Sequence, residues 1–310
     1  MIKSFTEVEL DKSVKKTKEY YLALLFIILS VIFWGVSFIS TKVLLLEIPP
    51  SSIAFFRQLV ALVPLTAFML YKGSFIKVPR YHIRLLALSG LFGIVLYFFF
   101  ENMGLKFTSA SNASMIVASV PIFTLASEAL FFKLKIRPTM IVCLILSIIG
   151  VYFVISINGR LDFSSSTFLG NMLVIGAMVC WVIYTIQSRS LSEDYSGIII
   201  TTYQTIASVF LFIPFIIPEI RYWQKISFTA FLNLIYLGIF CSAGAYIFYI
   251  YAAKRLGATL SAAFLNLIPV VSVVASFLIL GERVTLFQII GMSLIIAPLY
   301  VLSRSKNVVG

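Results

Sequence analysis

Long runs of apolar residues, separated by short polar stretches, divide the chain into ten segments. Each run is close to the roughly 20 residues that an α-helix needs to cross the hydrocarbon core of a bilayer. The runs lie at residues 21–45, 53–71, 84–100, 109–132 and 139–157, and then at 168–188, 198–217, 228–250, 258–280 and 285–302. The pattern predicts an all-α integral membrane protein with ten transmembrane helices.

The second half of the chain repeats the first. A shift of 148 positions pairs, without a gap, Gly90 with Gly238, Lys106 with Lys254, Pro121 with Pro269, and Tyr152 with Tyr300. Trp34 and Trp181 match at a shift of 147. Matches between apolar residues are common by chance in such sequences. Matches of Gly, Pro, Lys and Tyr in one register are much less expected by chance. Internal repeats are a recurring design of secondary transporters, in which the substrate site lies between the two halves.

Each repeat contains five predicted helices, and this odd number sets the relative orientation of the halves. If the first repeat begins on the cytoplasmic side, the second begins on the opposite side, so the repeats are inverted. We assign residues 1–20 to a cytoplasmic amino-terminal segment, 21–157 to the first repeat, 168–302 to the second and 303–310 to a cytoplasmic tail. The apolar run after residue 20 is too long for a signal peptide, which predicts an uncleaved first helix.

The distribution of basic residues indicates the orientation in the membrane. Charged residues make up only 12% of the chain, against about 25% in a soluble domain. Seventeen of the 24 lysines and arginines lie in segments on the same side as the amino terminus. Because cytoplasmic loops are enriched in Lys and Arg, both termini are predicted to be cytoplasmic, in a multi-pass protein of the plasma membrane. The net charge of +12 is therefore interpreted as topology information and not as a nucleic-acid patch.

Residue types needed for enzymatic or metal chemistry do not cluster in the sequence. Cys143, Cys180 and Cys241 lie far apart in apolar runs, and His82 is the only histidine. No nucleophile–base pair can be placed, and no Walker-type phosphate-binding loop occurs. We therefore expect neither enzyme activity nor a cofactor or metal site, and we expect any coupling to come from a gradient.

Five short motifs stand out within the apolar segments. They are Phe33-Trp34-Gly35-Val36-Ser37-Phe38, Arg57, Gly104-Leu105-Lys106 through Pro121, Ala253-Lys254-Arg255-Leu256-Gly257-Ala258 through Pro269, and Leu280-Gly281-Glu282-Arg283. Together they resemble the motifs of EamA-type transporters of the drug/metabolite transporter superfamily. The resemblance covers residues 21–302 and implies ten helices, a central cavity open to each side in turn, and export or exchange of small metabolites.

One motif departs from that family pattern. Leu134 stands where a glutamate is usual, as at Glu282 in the second half, and a carboxylate occurs earlier instead, at Glu128. A gate built symmetrically from two glutamates is therefore not expected in this chain.

Charges within the apolar runs are candidate functional groups, because a charge in a bilayer usually faces a cavity or a partner. Glu101 is expected at the outer end of the third helix, either as a substrate or proton site or as an interfacial carboxylate in water. Glu128 would act in transport or pair with a lysine at the membrane edge. Arg57 would pair with Glu101 or Glu47, bind an anion, or serve packing and topology.

Other charges mark the two mouths of the predicted cavity. Lys106 and Lys254 are repeat mates on opposite sides of the membrane, and Arg255 stands beside Lys254. Together with Glu282 they are candidate gate residues. The alternative is that the basic residues are ordinary flanking charges at helix ends.

Prolines and asparagines occur on the fourth and ninth helices. Pro121 and Pro269 are predicted to kink these helices, because proline removes a backbone hydrogen bond. Asn112 and Asn266 need hydrogen-bond partners in an apolar setting, which either a substrate or a neighbouring helix would supply.

Aromatic residues make up 15% of the chain, and most are expected to face lipid. The resemblance implies that a few line the cavity: Trp34, Tyr97, Tyr184, Tyr246 and Tyr249. Aromatic walls with a few polar groups suit an amphipathic or cationic organic solute.

The sequence thus predicts a secondary transporter that exports or exchanges a small organic metabolite, amino-acid-like or amphipathic and cationic, by alternating access. Proton coupling through Glu101 or Glu128 is a hypothesis, and seams of small residues permit a homodimer. The main alternative is a lipid scramblase or flippase, which would need a polar groove open to the lipid. A non-transporting membrane partner is the least favoured, because the loops leave no room for a soluble domain.

Overall fold

The computed structural model describes residues 5–76, 78–120, 138–155, 165–256 and 267–304, together with positions 123, 127, 163, 261, 264 and 265. Within these ranges the chain forms helices joined by turns and contains no β-strand. Among the described residues, five helices are long and apolar enough to cross a membrane, and a bent pair adds a sixth if it counts as one span. The predicted all-α membrane fold is therefore confirmed.

Five helices of the first repeat lie within the described residues. They are α1 (Phe5–Leu44), α2 (Pro50–Tyr71), α3 (Arg80–Phe107), α4 (Ala110–Val117) and α5 (Pro138–Ile155). α1 begins within the segment that was predicted to precede it, ahead of its apolar span Glu19–Leu44. α3 extends past the predicted boundary at residue 100, so Glu101 lies inside this helix and not at its end.

The second repeat follows in the same order. Its helices are α6 (Ser166–Asp194), α7 (Gly197–Leu211, then Ile213–Tyr222 after a 44° bend), α8 (Phe228–Tyr236, Leu237–Gly244 and Ala245–Leu256), α9 (Ile268–Leu280) and α10 (Leu286–Arg304).

Prolines account for two interruptions of these helices. α7 bends next to Pro214, which has no N–H to donate to the preceding turn. Pro269 stands in the first turn of α9, directly after a turn at Leu267, so the helix breaks before it. Pro121, the predicted kink of the fourth helix, lies outside the described residues.

Matching irregularities show that the two repeats share one backbone design. A π-helical turn covers Leu91–Leu96 in α3, and another covers Leu237–Gly244 in α8, at equivalent places in the repeat. π-helical turns inside α-helices occur frequently at functional sites. Here they directly precede the stretches that begin with Tyr97 and Ala245.

The two repeats exchange their first helices. α1 packs against α8 and α9, and in the equivalent arrangement α6 packs against α3 and α4. α5 and α10, the last helices of the two repeats, pack against each other. The centre of the bundle is therefore lined by helices from both halves, as inverted-repeat transporters require.

Glycine allows α3 and α6 to meet at backbone distance. A Cβ atom added at Gly170 would lie 2.8 Å from both the carbonyl oxygen of Gly104 and the amide nitrogen of Thr108. These are backbone atoms, which cannot rotate out of the way as a side chain could. Close approach through small residues is a general basis of helix packing in membranes.

Gly170→Ala should therefore lower the midpoint of thermal unfolding, because overpacking costs about 1–3 kcal/mol. Gly176→Ala, in the same helix, is the matched control. The nearest atoms to a Cβ atom there belong to the Phe100 ring, at an ordinary 3.5 Å, and alanine favours the helix by about 1 kcal/mol relative to glycine. The measurement is thermal unfolding of the detergent-solubilised protein. Equal midpoints for the two variants would contradict the close contact between α3 and α6.

Candidate functional site

A cavity of about 50 Å³ lies inside the bundle where the two repeats meet. This volume is below the roughly 300–1,000 Å³ that is typical of small-molecule sites, so the cavity must widen to admit an organic solute. The lining residues are Trp34, Ser37, Phe38, Arg57, Tyr97, Phe98, Glu101, Val117 and Val120 from the first repeat, and Trp181, Tyr246, Leu265 and Ile268 from the second. Five of the residues proposed from the sequence are among them: Trp34, Arg57, Tyr97, Glu101 and Tyr246.

Aromatic rings from both repeats form one wall of the cavity. Trp34 and its repeat mate Trp181 meet edge to face, with ring centroids 6.3 Å apart. Tyr246 lies 5.5 Å from Trp34, and Tyr97 lies 5.3 Å from Trp181. Because two equivalent residues touch here, the cavity lies on the pseudo-twofold axis that relates the repeats.

Hydrogen bonds to α8 hold α1 and its indole in place. Trp34 Nε1 donates to the carbonyl oxygen of Cys241 at 3.1 Å, inside the π-helical turn of α8. Ser30 Oγ donates to the carbonyl oxygen of Ala245 at 3.0 Å, just after that turn. The irregular backbone of α8 thus supplies the acceptors that orient α1.

Arg57 extends from α2 into the cavity and is only 1% exposed. Its Nε donates to Ser242 Oγ at 2.9 Å, and its Cζ lies 4.1 Å from the centroid of the Phe98 ring. The hydroxyl group and the ring hold one edge and one face of the guanidinium, because a cation is attracted to an aromatic face.

Glu101 extends from α3 into the same cavity and is 6% exposed. Its Oε1 accepts a 2.7 Å hydrogen bond from the hydroxyl of Tyr97, one helical turn earlier. The expectation of an interfacial carboxylate at the end of the third helix is not met, because α3 continues to Phe107.

The cavity therefore contains one basic and one acidic side chain that are not in direct contact. Within the described part of the chain, no carboxylate oxygen lies within 4.0 Å of the Arg57 guanidinium. Glu47, the other partner considered for Arg57, instead accepts hydrogen bonds from Ser227. A buried charge is unfavourable unless it is paired or solvated, so both groups are suited to a ligand of complementary charge.

Asn112 lies outside the lining of this cavity. Its Oδ1 accepts from Gln288 Nε2, and its Nδ2 donates to Thr108 Oγ1 at 3.3 Å. Of the two roles considered for this amide, the structure places it in a helix–helix hydrogen bond between α4 and α10. Asn266, the asparagine considered on the ninth helix, lies outside the described residues, as does Glu128.

Two further tyrosines lie behind the aromatic wall. Tyr184 is buried and packs 5.1 Å from Trp181, and Tyr249 packs 5.6 Å from Trp34. Neither residue is part of the cavity lining, so both would support the wall rather than contact a solute.

The candidate gate residues lie at helix ends, away from the cavity. Lys106 is exposed in the last turn of α3, and Arg255 Nε lies 3.0 Å from Glu19 Oε2 on α1. The side chain of Lys254 lies outside the described part of the structure. Glu282 accepts hydrogen bonds from the first residues of α4.

Several residues of the site were not proposed from the sequence, and three of them contact its aromatic and charged groups: Phe98, Trp181 and Ser242. Trp181 could have been proposed from the sequence, because it matches Trp34 in the repeat. Ser242 could not, because it is one of many small residues and contacts Arg57 across 185 positions of sequence.

Comparisons with known proteins agree with this architecture. The EamA-like transporter family matches residues 21–156 and 168–304. A protein named as a transporter in Archaeoglobus fulgidus is 30% identical over 91% of this chain and 98% of its own length. A protein of Streptantibioticus cattleyicolor, named a probable terminal-alkyne amino-acid exporter, is 25% identical over 90% of this chain and 92% of its own length.

The fold also has a counterpart among solved structures. A crystal structure with 17% sequence identity superimposes with a TM-score of 0.66, over 91% of this chain and 98% of that chain. At this identity the likeness concerns the fold alone. The family match, by contrast, covers both halves of the sequence, and the relatives that share it are named as transporters. This protein belongs to the EamA-like transporter family.

Proposed function

We propose that the protein transports a small zwitterion of the amino-acid type across the plasma membrane, by alternating access of the central cavity. The observation that carries the proposal is the presence of Arg57 and Glu101 in one buried cavity without a direct ion pair between them. A ligand with a carboxylate and an ammonium group would neutralise both residues at once.

The carboxylate of such a ligand would bind Arg57. A guanidinium group offers donors in a planar fork that fits a carboxylate in a bidentate manner. Ser242 binds the Nε edge of the guanidinium, and the Phe98 ring covers one of its faces. The Arg57 side chain is therefore preorganised to receive an anion.

The ammonium group would bind near Glu101 and the aromatic wall. Glu101 provides the negative charge, and the faces of Trp34, Trp181 and Tyr246 attract cations. Val117, Val120, Leu265 and Ile268 complete the lining and would accommodate an apolar side chain. The name of the Streptantibioticus cattleyicolor relative, an amino-acid exporter, is consistent with a ligand of this type.

The position of the cavity supports alternating access. It lies between inverted repeats that exchange their first helices, and rocking of one half against the other would open it to each side in turn. Glu101 is the carboxylate among the described lining residues, so it is the candidate through which a proton gradient would drive transport.

The cavity favours a metabolite transporter over the alternative of a lipid scramblase. A scramblase would need a polar groove open to lipid, whereas the described polar groups Arg57, Glu101 and Asn112 are all more than nine-tenths buried.

Arg57→Gln should abolish the preference of the protein for zwitterions. We expect apparent affinity for apolar L-amino acids to fall about 10- to 100-fold, because a buried charged hydrogen bond is lost. The corresponding amines, which lack the carboxylate, should lose far less. The measurement is ligand-induced thermal stabilisation of purified protein. Arg84→Gln, at an exposed position of α3, is the matched control and should behave as the native chain.

In cells, the native chain should enrich a discrete set of zwitterionic metabolites in the growth medium, and Arg57→Gln should not at equal membrane levels. Untargeted metabolite profiling of the medium provides this measurement. Stabilisation by amines and acids as strong as by amino acids would overturn the zwitterion proposal.

Glu101→Gln should separate binding from coupling. The amide keeps the size of the side chain and an oxygen for the Tyr97 hydroxyl, but it removes the negative charge and the titratable group. In proteoliposomes we expect uptake driven by a pH gradient to be lost, while exchange of unlabelled for labelled solute persists at reduced affinity. A variant that still follows the pH gradient would show that Glu101 is not the coupling group.

A further inference from the structure

Two carboxylates bind the first turns of distant helices with the same geometry. Glu282, after α9, accepts from the backbone nitrogens of Ala110 and Ser111 at 3.1 and 3.2 Å and from Ser111 Oγ at 2.8 Å. Glu219, in the last part of α7, accepts from the backbone nitrogens of Ser51 and Ser52 at 3.1 and 2.7 Å and from Ser52 Oγ at 2.7 Å.

These contacts satisfy helix ends that would otherwise lack acceptors. The first N–H groups of a helix have no partner within the helix and carry a partial positive charge, so a carboxylate stabilises them. α2 follows Pro49, which has no side-chain acceptor, and its cap comes from Glu219. Each carboxylate therefore ties a helix of the second repeat, α7 or α9, to a helix of the first, α2 or α4.

A third carboxylate makes a related contact. Glu47, after α1, accepts from the backbone nitrogen and the hydroxyl of Ser227, both at 2.6 Å, and Ser227 caps the first turn of α8. These hydrogen bonds hold the pKa of Glu47 below its usual value, because they stabilise the ionised carboxylate. We call Glu47, Glu219 and Glu282 the carboxylate clamps.

The three clamps lie at the same end of the bundle. α1, α7 and α9 finish there, and α2, α4 and α8 begin there, since successive helices run in alternate directions. The predicted orientation makes this the outer end. Every clamp joins helices of opposite repeats, so the contacts hold the two halves together at the outer mouth of the cavity.

The repeat register shows what occupies the equivalent positions at the opposite end. A shift of 147 relates Glu219 to Lys72 and Glu47 to Asp194, and a shift of 148 relates Glu282 to Leu134. Asp194 Oδ2 lies 3.8 Å from His82 Nε2, near the start of α3. Lysine and leucine side chains cannot accept a hydrogen bond from a helix amino terminus, so two of the three clamps have no chemical counterpart at the equivalent sequence positions.

We propose that the carboxylate clamps are the lock of the outer gate, and that their missing counterparts bias the empty carrier toward the state closed on the outside. In inverted-repeat transporters the two halves exchange conformations when the cavity changes sides. The outward-open state would therefore break three clamps and gain at most the equivalent of one. The proposal rests on alternating access, but it does not depend on which solute is carried.

Accessibility of a cysteine in the cavity tests the lock. Val117→Cys would be introduced into the lining after Cys143, Cys180 and Cys241 are replaced by alanine. Its reaction with a membrane-impermeant thiol reagent would be measured in right-side-out and inside-out vesicles. With the clamps intact, we expect faster labelling from the inner side.

Loss of the clamps should open the outer side. Glu219→Gln and Glu282→Gln should each raise the rate of outer labelling by about tenfold, and their combination by more, since the loss of a helix cap shifts such equilibria by about that factor. Glu9→Gln, in the amino-terminal part of α1, is a control of equal charge change and should have no effect.

A carboxylate added at the inner end should also favour the outward-open state, because it would stabilise the closed inner end. Leu134→Glu would introduce a carboxylate at the repeat equivalent of Glu282, whose partners Ala110 and Ser111 have Ala258 and Thr259 as their repeat mates in the sequence. We expect it to raise outer labelling while the clamps remain intact.

The outcomes separate this proposal from the proposed solute. Unchanged labelling in folded Glu219→Gln, Glu282→Gln protein, with a native elution profile and unfolding midpoint, would overturn the lock. Faster labelling only from the inner side would overturn it as well. If labelling shifts as expected while amino acids fail to stabilise the protein, the lock stands and the zwitterion proposal fails.

Discussion

Two opposite charges held inside an apolar bundle constrain the rest of this structure. Arg57 and Glu101 are almost fully buried, and burial of a charge is unfavourable unless a partner compensates. Ser242, Phe98 and Tyr97 provide part of that compensation. The hydrogen-bonding groups of Arg57 and Glu101 that remain face the cavity. A ligand of complementary charge would pair with them there. A ligand shifts a conformational equilibrium by its differential affinity for the two states, and charge pairing in an apolar site is one source of such a difference.

The two repeats share a backbone design but not a chemistry. π-helical turns recur in α3 and α8, and the repeat mates Trp34 and Trp181 meet in the cavity. The charges, however, come from the first repeat alone: the register relates Arg57 to Gln204, and Gln204 donates to Ser89 in a helix contact. Two of the carboxylate clamps show the reverse bias, since they come from the second repeat. Inverted repeats with one backbone design can adopt two equivalent conformations, open to the outside or to the inside. Different side chains in the two repeats make these conformations unequal in free energy.

Much of the fold could be predicted because the bilayer imposes simple requirements on sequence. Spans must be long and apolar, and an odd number of spans per repeat inverts the second copy. The predicted helix boundaries were less accurate where a charged residue interrupts an apolar run. The third helix was predicted to end at residue 100 because Glu101 follows, yet α3 continues to Phe107. A carboxylate is tolerated inside that helix because the cavity and the hydroxyl of Tyr97 surround it.

The sequence by itself determined the membrane class, the inverted repeat, the family resemblance and five of the residues that line the cavity. Only the tertiary structure decided which of those candidates share a cavity. Asn112 was an equally good candidate for solute contact, but the rotation of α4 directs it to Gln288. Glu282 was proposed as a gate without a partner, and its ligands are backbone groups of a helix far away in sequence. The physical reason is that periodicity and composition depend on local residues, whereas helix rotation and pairing depend on packing between segments distant in the chain.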